Sequence, residues 1–241
     1  MKLSSLTIML PAYNEEQLIE KAIRCCEEAA EKITADYEIL VVNDKGEDRT
    51  EEVIKRVTLS KPRIKGIFLS RKMGYGNALA TGFYNATKDF VFYTDSDMPI
   101  DISKELPCAV SLVSDDVDAV IGYRINRQDR MLRRFYSAVY NFMTRFILGI
   151  KVRDVNFSCK LLRREVFKNF KLYSHSGFID AELLANLIYR GFKIKEFPAT
   201  YLSRKDGNSS FDSLFGAVAI FMELLIFKLF HFVSFPKRRG R

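Results

Sequence analysis

Short apolar segments alternate with helical segments through the first 120 residues, and this alternation limits the possible folds more than any other feature of the chain. The apolar segments are typical of buried strands; they read LTIMLPAY, EILVVND, IKGIFLS, DFVFYTD and DAVIGYR. Helical segments of roughly 10–18 residues separate them. The order predicts an α/β fold, in which helices cover both faces of a mostly parallel sheet.

The second half of the chain is less regular. Helices are predicted over DRMLRRFYSAVYNFMTRFILGI and SGFIDAELLANLIYRGF, and strands within KIKEFPATYLS. The first of these helices is amphipathic, since it carries an aromatic and apolar stripe at helical spacing: Phe135, Val139, Phe142 and Phe146.

The segment from Leu214 to Phe235 is almost wholly apolar, and its strongly polar residues are Glu223, Lys228 and His231. On a helix these three fall within an arc of roughly 140°, which leaves a wide apolar face. An amphipathic helix in the plane of a membrane is therefore favoured over a single membrane span. Packing of this helix onto the folded domain is a third alternative. The basic end PKRRGR would lie against anionic headgroups in either membrane arrangement.

The net charge of +8 hides a difference between the two halves. Up to Val120 the chain has 15 Lys and Arg against 21 Asp and Glu, and after it 23 against 9. The positive field of the second half suits phosphate groups or an anionic membrane surface. Nucleic acid is not expected as a partner, because no known reader motif accompanies the charge.

The four cysteines and two histidines give no metal-binding spacing, so a zinc site is not expected. Reduced thiols and a cytoplasmic setting are the simplest interpretation. The first apolar segment, LTIML, reads as a buried strand rather than a signal peptide.

Two carboxylates follow the predicted strand FVFY, in the sequence TDSDMPID. Asp95 and Asp97 are two residues apart and can share a face, so both can converge on one cation. Carboxylate oxygens suit Mg²⁺ or Mn²⁺. The residues alone do not separate this metal site from a simple cap of the helix that begins near Ser103.

Further candidates follow the other predicted strands. The carboxylate of Asp44 can accept an N–H of a nucleobase, or it can cap the helix that begins at Thr50. RKMGYGNALATG opens a helix after glycines, where backbone N–H groups favour anions, although such glycines more often mark only a tight turn. Ligands of open parallel sheets bind beyond the carboxyl ends of the strands. That edge is predicted to carry Tyr13–Glu15, Asn43–Asp44, Ser70–Arg71 and Asp95–Asp97.

Taken in order, the segments PAYNEE, VVNDKGEDRT, RKMGYGNALATG and TDSD resemble glycosyltransferase family 2, whose fold is GT-A. The second half narrows the resemblance to polyprenol-phosphate sugar transferases of the dolichol-phosphate mannosyltransferase type. The matching segments there are GYR, LRRFYSAVYNFMTRFILGIKVRD, LLRREVF, and GFIDAELL followed by RKDGNSS. The resemblance extends to about Phe211, and it depends on the collinearity of the segments.

The resemblance implies an inverting, metal-dependent enzyme that moves a sugar from a nucleotide-diphosphate sugar to a polyprenyl phosphate, with Mg²⁺ or Mn²⁺ as cofactor. It implies a GT-A domain over residues 1–211, with a nucleotide-sugar half (1–120) and an acceptor half (121–211). Residues 212–241 would form a membrane-associating tail, peripheral or single-helix, at the cytoplasmic membrane surface.

The resemblance also assigns roles to individual residues. Asp97 would be the main metal ligand, and Asp95 would contact both the metal and the nucleotide. Arg124 would act with them in catalysis by binding phosphate. The other donor-binding residues would be Pro11, Tyr13, Glu15, Asp44, Arg71 and Gly74. The acceptor would be bound by Arg133, Ser137, Arg204 and Ser209.

The chain departs from the family pattern in several places, which leaves the sugar and the nucleotide open. Asn43–Asp44 stands in place of two acidic residues, Lys45–Gly46 in place of Gly-Ser, and NFSCK in place of a Gly-Phe-Arg segment. Pro99 stands where a third metal-side ligand is frequent. Two alternatives remain open. One is a transferase with a saccharide hydroxyl acceptor, for which Asp180 or Glu182 would be the base. The other is a catalytically silent nucleotide-sugar-binding partner of a membrane protein.

Overall fold

Seven strands form one mixed sheet in the computed structural model, which describes residues 3–127, 131–202 and 214–231, without the side chains at 132–133, 214–219 and 230–231. The strands are β1 (Leu6–Ala12), β2 (Tyr37–Asn43), β3 (Ile64–Phe68), β4 (Phe90–Tyr93), β5 (Ala119–Ile125), β6 (Lys160–Arg163) and β7 (Ile194–Thr200). Their order is β3-β2-β1-β4-β6-β5-β7. Only β6 runs antiparallel to its neighbours β4 and β5, so the predicted mostly parallel sheet is confirmed.

Helices cover both faces of the sheet. They are α1 (Ile19–Ile33), α2 (Thr50–Ser60), α3 (Tyr75–Asn85), α4 (Ile102–Ser111), α5 (Met131–Leu148), α6 (Ile179–Tyr189) and α7 (Leu214–His231), with a short 3-10 helix at Arg164–Lys168. Alternate residues of each central strand point to opposite faces. In β1, Ile8 packs with α1, α2 and α4 in one core, whereas Met9 packs with α3, α5, α6 and α7 in the other.

The strand β6 was not predicted from the sequence. It is four residues long, and Lys160 at its start is fully buried, so the segment lacks the apolar run of the other central strands. Because β6 reverses direction, the chain segment that leads into it arrives at the edge where the parallel strands end.

One face of helix α7 packs on the domain. Ile220, Leu224 and Phe227 are buried in the second core, whereas Met222 and Ile226 are about half exposed. The inner face therefore matches the third alternative considered for this segment, packing onto the domain. Among the helices of the described ranges, none combines the length and the apolar character that crossing a bilayer requires.

Candidate active site

Backbone conformation marks one edge of the sheet as unusual. Within the described residues, the non-glycine positions with positive φ are Asn14, Lys45, Met98 and Asn126. They follow the carboxyl ends of β1, β2, β4 and β5, respectively. Non-glycine residues adopt this conformation rarely, and such strain concentrates at functional sites. The carboxyl edge is therefore the candidate site, in agreement with the rule for open parallel sheets.

The loops after β1 and β2 form one unit at this edge. Asn14 Oδ1 accepts the N–H of Glu47 at 2.9 Å, and the N–H of Glu15 donates to Thr50 Oγ1 at 2.8 Å. A cleft of about 390 Å³ lies beside the second loop, with Asn43 in its lining. Asn43 Oδ1 is buried without a hydrogen-bond partner in the described part of the chain. An unsatisfied buried oxygen is consistent with an external donor, such as a base N–H.

Asp44 connects this unit to the segment before α3. Its carboxylate is buried and accepts the N–H groups of Met73 at 2.6 Å and Gly74 at 2.9 Å. It does not cap α2, because Asp48 accepts the N–H of Thr50 at 3.0 Å. The capping alternative for Asp44 is therefore wrong. Asp44 therefore orders the segment that leads into α3.

Gly74, just before α3, and Gly76, its second residue, serve close packing. A Cβ at Gly74 would lie 2.4 Å from His175 O, and one at Gly76 would lie 2.2 Å from Ser174 O. The N–H of Gly76 donates to His175 O at 3.1 Å, and that of Gly74 is bound by Asp44. These two N–H groups are thus engaged within the protein, contrary to the expectation that they bind an anion.

Tyr13 lies beside Lys72, which belongs to the segment before α3. Lys72 Nζ donates to Tyr13 Oη at 3.0 Å and lies 4.1 Å from the centre of its ring. Pro11 is buried in β1 just before Tyr13, and Arg71 is exposed next to Lys72. The contact between Tyr13 and Lys72 therefore joins the chain after β1 to the segment before α3, and the donor-binding roles of Pro11, Tyr13 and Arg71 stay predictions.

Asp95 and Asp97 lie in a turn that begins two residues after β4. The turn is closed by the N–H of Met98, which donates to Asp95 O at 3.1 Å. The cap of α4 is Asp101, whose side chain accepts the N–H of Ser103 at 3.2 Å. The alternative in which the two aspartates cap this helix is therefore wrong. Both side chains are partly exposed at the carboxyl edge.

The oxygens at this turn fit a divalent cation that is shared with a bound diphosphate. Thr94 Oγ1 is buried and has no hydrogen-bond partner among the described residues. Those residues form no cluster of three or more His, Cys, Asp or Glu side chains suited to a metal. Mg²⁺ commonly takes one or two carboxylates and completes its shell with water and phosphate oxygens. Asp95 and Asp97 supply that number of carboxylates.

Arg124, near the carboxyl end of β5, belongs to a cluster of polar and charged side chains with Arg127, Ser137 and Asp154. Its guanidinium pairs with Asp154 through two hydrogen bonds, at 2.6 and 2.7 Å. Burial opposes ionisation of Asp154, but the Arg124 hydrogen bonds outweigh it and hold the pKa of Asp154 below its ordinary value. Ser137 Oγ lies 3.5 Å from Arg124 Nη2 and accepts a hydrogen bond from Arg127 Nη1 at 3.2 Å.

The remaining predicted acceptor residues are placed less fully. The backbone of Arg133 lies in α5, one helical turn before Ser137. Arg204 and Ser209 lie outside the described residues. The structure therefore brings Arg124 and Ser137 together, and the other acceptor assignments stay predictions.

A buried ion pair behind the site was missed from the sequence. Lys160 Nζ donates to Asp180 Oδ1 at 2.7 Å, and Tyr93 Oη donates to the same oxygen. Glu182 is also buried, and its carboxylate accepts the N–H groups of residues 173–174. Both carboxylates considered as a base are thus held in internal contacts.

Glu182 gives the first prediction, a pH-dependent stability. Burial raises its pKa from 4.5 to about 7, and Glu223 adds to this, although two N–H donors favour the ionised form. Between about pH 4.5 and pH 7 the folded state therefore holds a proton that the unfolded state loses. The contribution of Glu182 to the free energy of unfolding, ~3 kcal/mol, is lost as the pH rises through this range. Glu182→Gln should remove this dependence of the free energy of unfolding on pH. Urea unfolding at pH 5 and 8 checks this, and parallel pH profiles of both proteins would contradict it.

Solved glycosyltransferases share this fold. Glucosyl-3-phosphoglycerate synthase from Mycobacterium tuberculosis, in complex with phosphoglyceric acid, aligns with a TM-score of 0.71 and 18% identity over 92% of this chain and 79% of that one. Mannosyltransferase PcManGT from Pyrobaculum calidifontis, in complex with GDP-Man and Mn²⁺, aligns with a TM-score of 0.64 and 21% identity over 84% and 58%. The sheet and its helices thus have the GT-A fold.

The particular family follows from the sequence match. The model of Glycosyl transferase family 2 matches residues 7–170, so the chain belongs to this family and is a glycosyltransferase. It is 29% identical to the undecaprenyl-phosphate 4-deoxy-4-formamido-L-arabinose transferase of Sodalis glossinidius, over 93% of this chain and 68% of the relative. It is 30% identical to glycosyltransferase AglD of Haloferax volcanii, over 83% and 33%. The chain therefore spans about two thirds, or less, of these curated relatives.

Proposed function

We propose that this protein transfers a sugar from a nucleotide-diphosphate sugar to a polyprenyl phosphate, with inversion at the anomeric carbon and with Mg²⁺ or Mn²⁺ as cofactor. One observation carries the proposal. The turn with Asp95 and Asp97, here called the aspartate turn, is linked to the group of Arg124 and Arg127, here called the arginine cluster. Ser158 donates to Asp95 at 2.7 Å, and the ring of Phe157, the residue before it, lies 5.4 Å from the Arg124 guanidinium. Residues 157–158 therefore contact both the Asp95 carboxylate and the Arg124 guanidinium.

The charges account for the reaction. A phosphate oxygen of the acceptor attacks the anomeric carbon, the bond to the diphosphate breaks, and its electron pair leaves with the nucleoside diphosphate. A bound divalent cation would neutralise that leaving charge. Asp95 and Asp97 would hold this cation, and Arg124, Arg127 and Ser137 would orient the acceptor phosphate.

A phosphate acceptor also fits the two carboxylates considered as a base, which are engaged elsewhere in the described part of the chain. A phosphate monoester with a second pKa of about 6 is mostly dianionic at neutral pH, so it needs no deprotonation. A sugar hydroxyl would need a general base within hydrogen-bond reach. Asp180 and Glu182, the carboxylates considered for that role, are buried and internally bound. The undecaprenyl-phosphate transferases among the relatives support the same acceptor class.

We also propose that the exposed face of α5 meets the membrane in which such an acceptor lies. The predicted aromatic stripe points outward, with Phe135 61%, Phe142 67% and Phe146 81% exposed. Helix α7 packs against α5 and leaves Leu229 71% exposed. A row of exposed aromatic side chains is typical of an interaction surface. Because Ser137 lies on the same helix, the surface would hold the arginine cluster at the lipid headgroups on the cytoplasmic side.

The acceptor class is tested by offering several acceptors to one enzyme. The purified protein is incubated with Mn²⁺, a panel of labelled nucleotide sugars, and either undecaprenyl phosphate in vesicles, a short water-soluble polyprenyl phosphate, or free oligosaccharides. We expect label on both lipid phosphates and none on the oligosaccharides. Transfer only to oligosaccharides would contradict the proposal, and donor binding without any turnover would support the silent binding partner instead.

The membrane contact gives a second prediction. Replacing Phe135, Phe142 and Phe146 by Ser should lower transfer to undecaprenyl phosphate in vesicles by more than about tenfold, since each buried Phe contributes ~1.5–3 kcal/mol. Transfer to the short analogue should be unchanged. Leu59→Ser on α2 is the matched control, because Leu59 is 89% exposed on the opposite face of the sheet. Equal losses on both acceptors would show that the stripe acts within the protein and not at a membrane.

A further inference from the structure

We infer that Tyr75 and Ser158 are positioning residues that fix the carboxylate of Asp95 for binding of the metal and the donor diphosphate. The inference rests on the proposed function. Tyr75 Oη donates to Asp95 Oδ1 at 3.0 Å, and Ser158 Oγ donates to Asp95 Oδ2 at 2.7 Å. Neither residue is among the donor-binding residues assigned from the sequence, although Tyr75 lies within the segment RKMGYGNALATG.

The two hydrogen bonds reach Asp95 from different elements. Tyr75 is the first residue of α3, and Ser158 lies in the segment that leads into β6. Each oxygen of a carboxylate accepts about two hydrogen bonds. One lone pair of each Asp95 oxygen is therefore used for orientation, and the other is left for a cation or for the donor. Fixing the rotamer in advance lowers the entropy that binding must remove.

Tyr75 acts as a hydrogen-bond donor in this position, because a carboxylate oxygen can only accept from its O–H group. A second carboxylate oxygen could not replace it, because two acceptors would repel each other.

The position of Ser158 is fixed by the buried ion pair behind it. Lys160 Nζ donates to the carbonyl of Phe157 at 2.6 Å, as well as to Asp180 and to Tyr93 Oη at 3.1 Å. The peptide before Ser158 is thus tied to a cation that has no exposure to solvent. Tyr93 is the last residue of β4, two positions before Asp95, so the same group of contacts supports both sides of the turn.

The test measures metal binding without any acceptor. Mn²⁺ is titrated into the full chain in the presence of UDP or GDP, and free Mn²⁺ is followed by electron paramagnetic resonance. Tyr75→Phe and Ser158→Ala should each weaken Mn²⁺ binding by about tenfold, the lower end of the effect of a hydrogen bond to a charged group. In steady-state assays each variant should also lower kcat for the same donor.

Tyr84→Phe is the matched control. Tyr84 lies on the same helix, and its hydroxyl binds the backbone by accepting the N–H of Leu172 at 2.8 Å. This variant should lower Tm and leave Mn²⁺ binding unchanged. If Tyr75→Phe and Ser158→Ala behave like Tyr84→Phe, the inference is overturned while the proposed function stands. If the wild-type protein binds no Mn²⁺ with either nucleotide, the proposed metal-dependent function fails as well.

Discussion

Asp97→Asn should abolish sugar transfer, with a loss of at least about a thousandfold, which corresponds to ~4 kcal/mol in the activation free energy. Asn keeps the shape of the side chain but removes its charge, and a neutral amide is a poor ligand for a hard cation. The negative charge that develops on the leaving diphosphate would then lack its main compensation. Binding of the donor should lose its dependence on Mn²⁺ in the same variant.

Asp95→Asn should be similarly severe for an additional reason. Both Asp95 oxygens accept O–H groups, from Tyr75 and from Ser158. The amide nitrogen of Asn cannot accept a hydrogen bond, so one of these two contacts must either break or reverse, with the hydroxyl oxygen accepting from the amide N–H.

These two variants are best measured against a carboxylate in the same loop that has a different role. Asp101 caps α4, and Asn is an equally good cap, so Asp101→Asn should leave both stability and turnover close to wild type. Transfer is measured with labelled donor, and donor binding by calorimetry with and without Mn²⁺. Full turnover of Asp97→Asn with intact metal dependence would remove Asp97 from the site.

Much of the sheet could be predicted from the sequence, because β1 to β5 each form a local apolar run between helical segments. Strand β6 could not be predicted. Its burial depends on an ion pair between Lys160 and Asp180, which no local pattern of polar and apolar residues reports. The one available signal was a lysine just before the apolar residues 161–162.

The site was predictable in position but not in detail. The edge that carries Asp95 and Asp97 follows from strand direction, whereas excluding the helix-cap alternative needed the finding that Asp101 is the cap. The close packing at Gly74 and Gly76 could not be predicted, because the segment that packs on them, at 174–175, lies nearly 100 residues further along the chain. Contacts of that sequence separation leave no local pattern.

For α5 and α7, helical periodicity could predict an apolar face but not what covers it. A stripe at helical spacing predicts an apolar face, but it does not say whether a protein core or a lipid surface covers that face. On α5 the stripe is exposed, and on α7 the apolar residues divide between a buried face with Leu224 and an exposed face with Leu229. Only the fold distinguishes these cases.

The second large effect is expected from Lys160→Met. Lys160 and Asp180 are buried and paired at 2.7 Å, so the substitution leaves the Asp180 carboxylate in an apolar core without its cation. Breaking a buried pair from one side typically costs ~3–5 kcal/mol in the free energy of unfolding. Lys160→Met/Asp180→Leu removes both charges and should recover most of that loss, because apolar side chains can replace a buried ion pair.

The pH dependence separates this electrostatic cause from a packing defect. Burial raises the pKa of Asp180, with Lys160 opposing the shift, and loss of Lys160 should raise that pKa further. The folded variant then binds a proton that the unfolded chain releases, so its free energy of unfolding falls as pH rises. Urea unfolding should show a smaller deficit at pH 5 than at pH 8. A deficit that is equal at both pH values, or that persists in the double variant, would indicate misfitted side chains. Because Lys160 also holds the carbonyl before Ser158, the double variant should fold yet bind Mn²⁺ more weakly than wild type, which links the buried pair to the metal site.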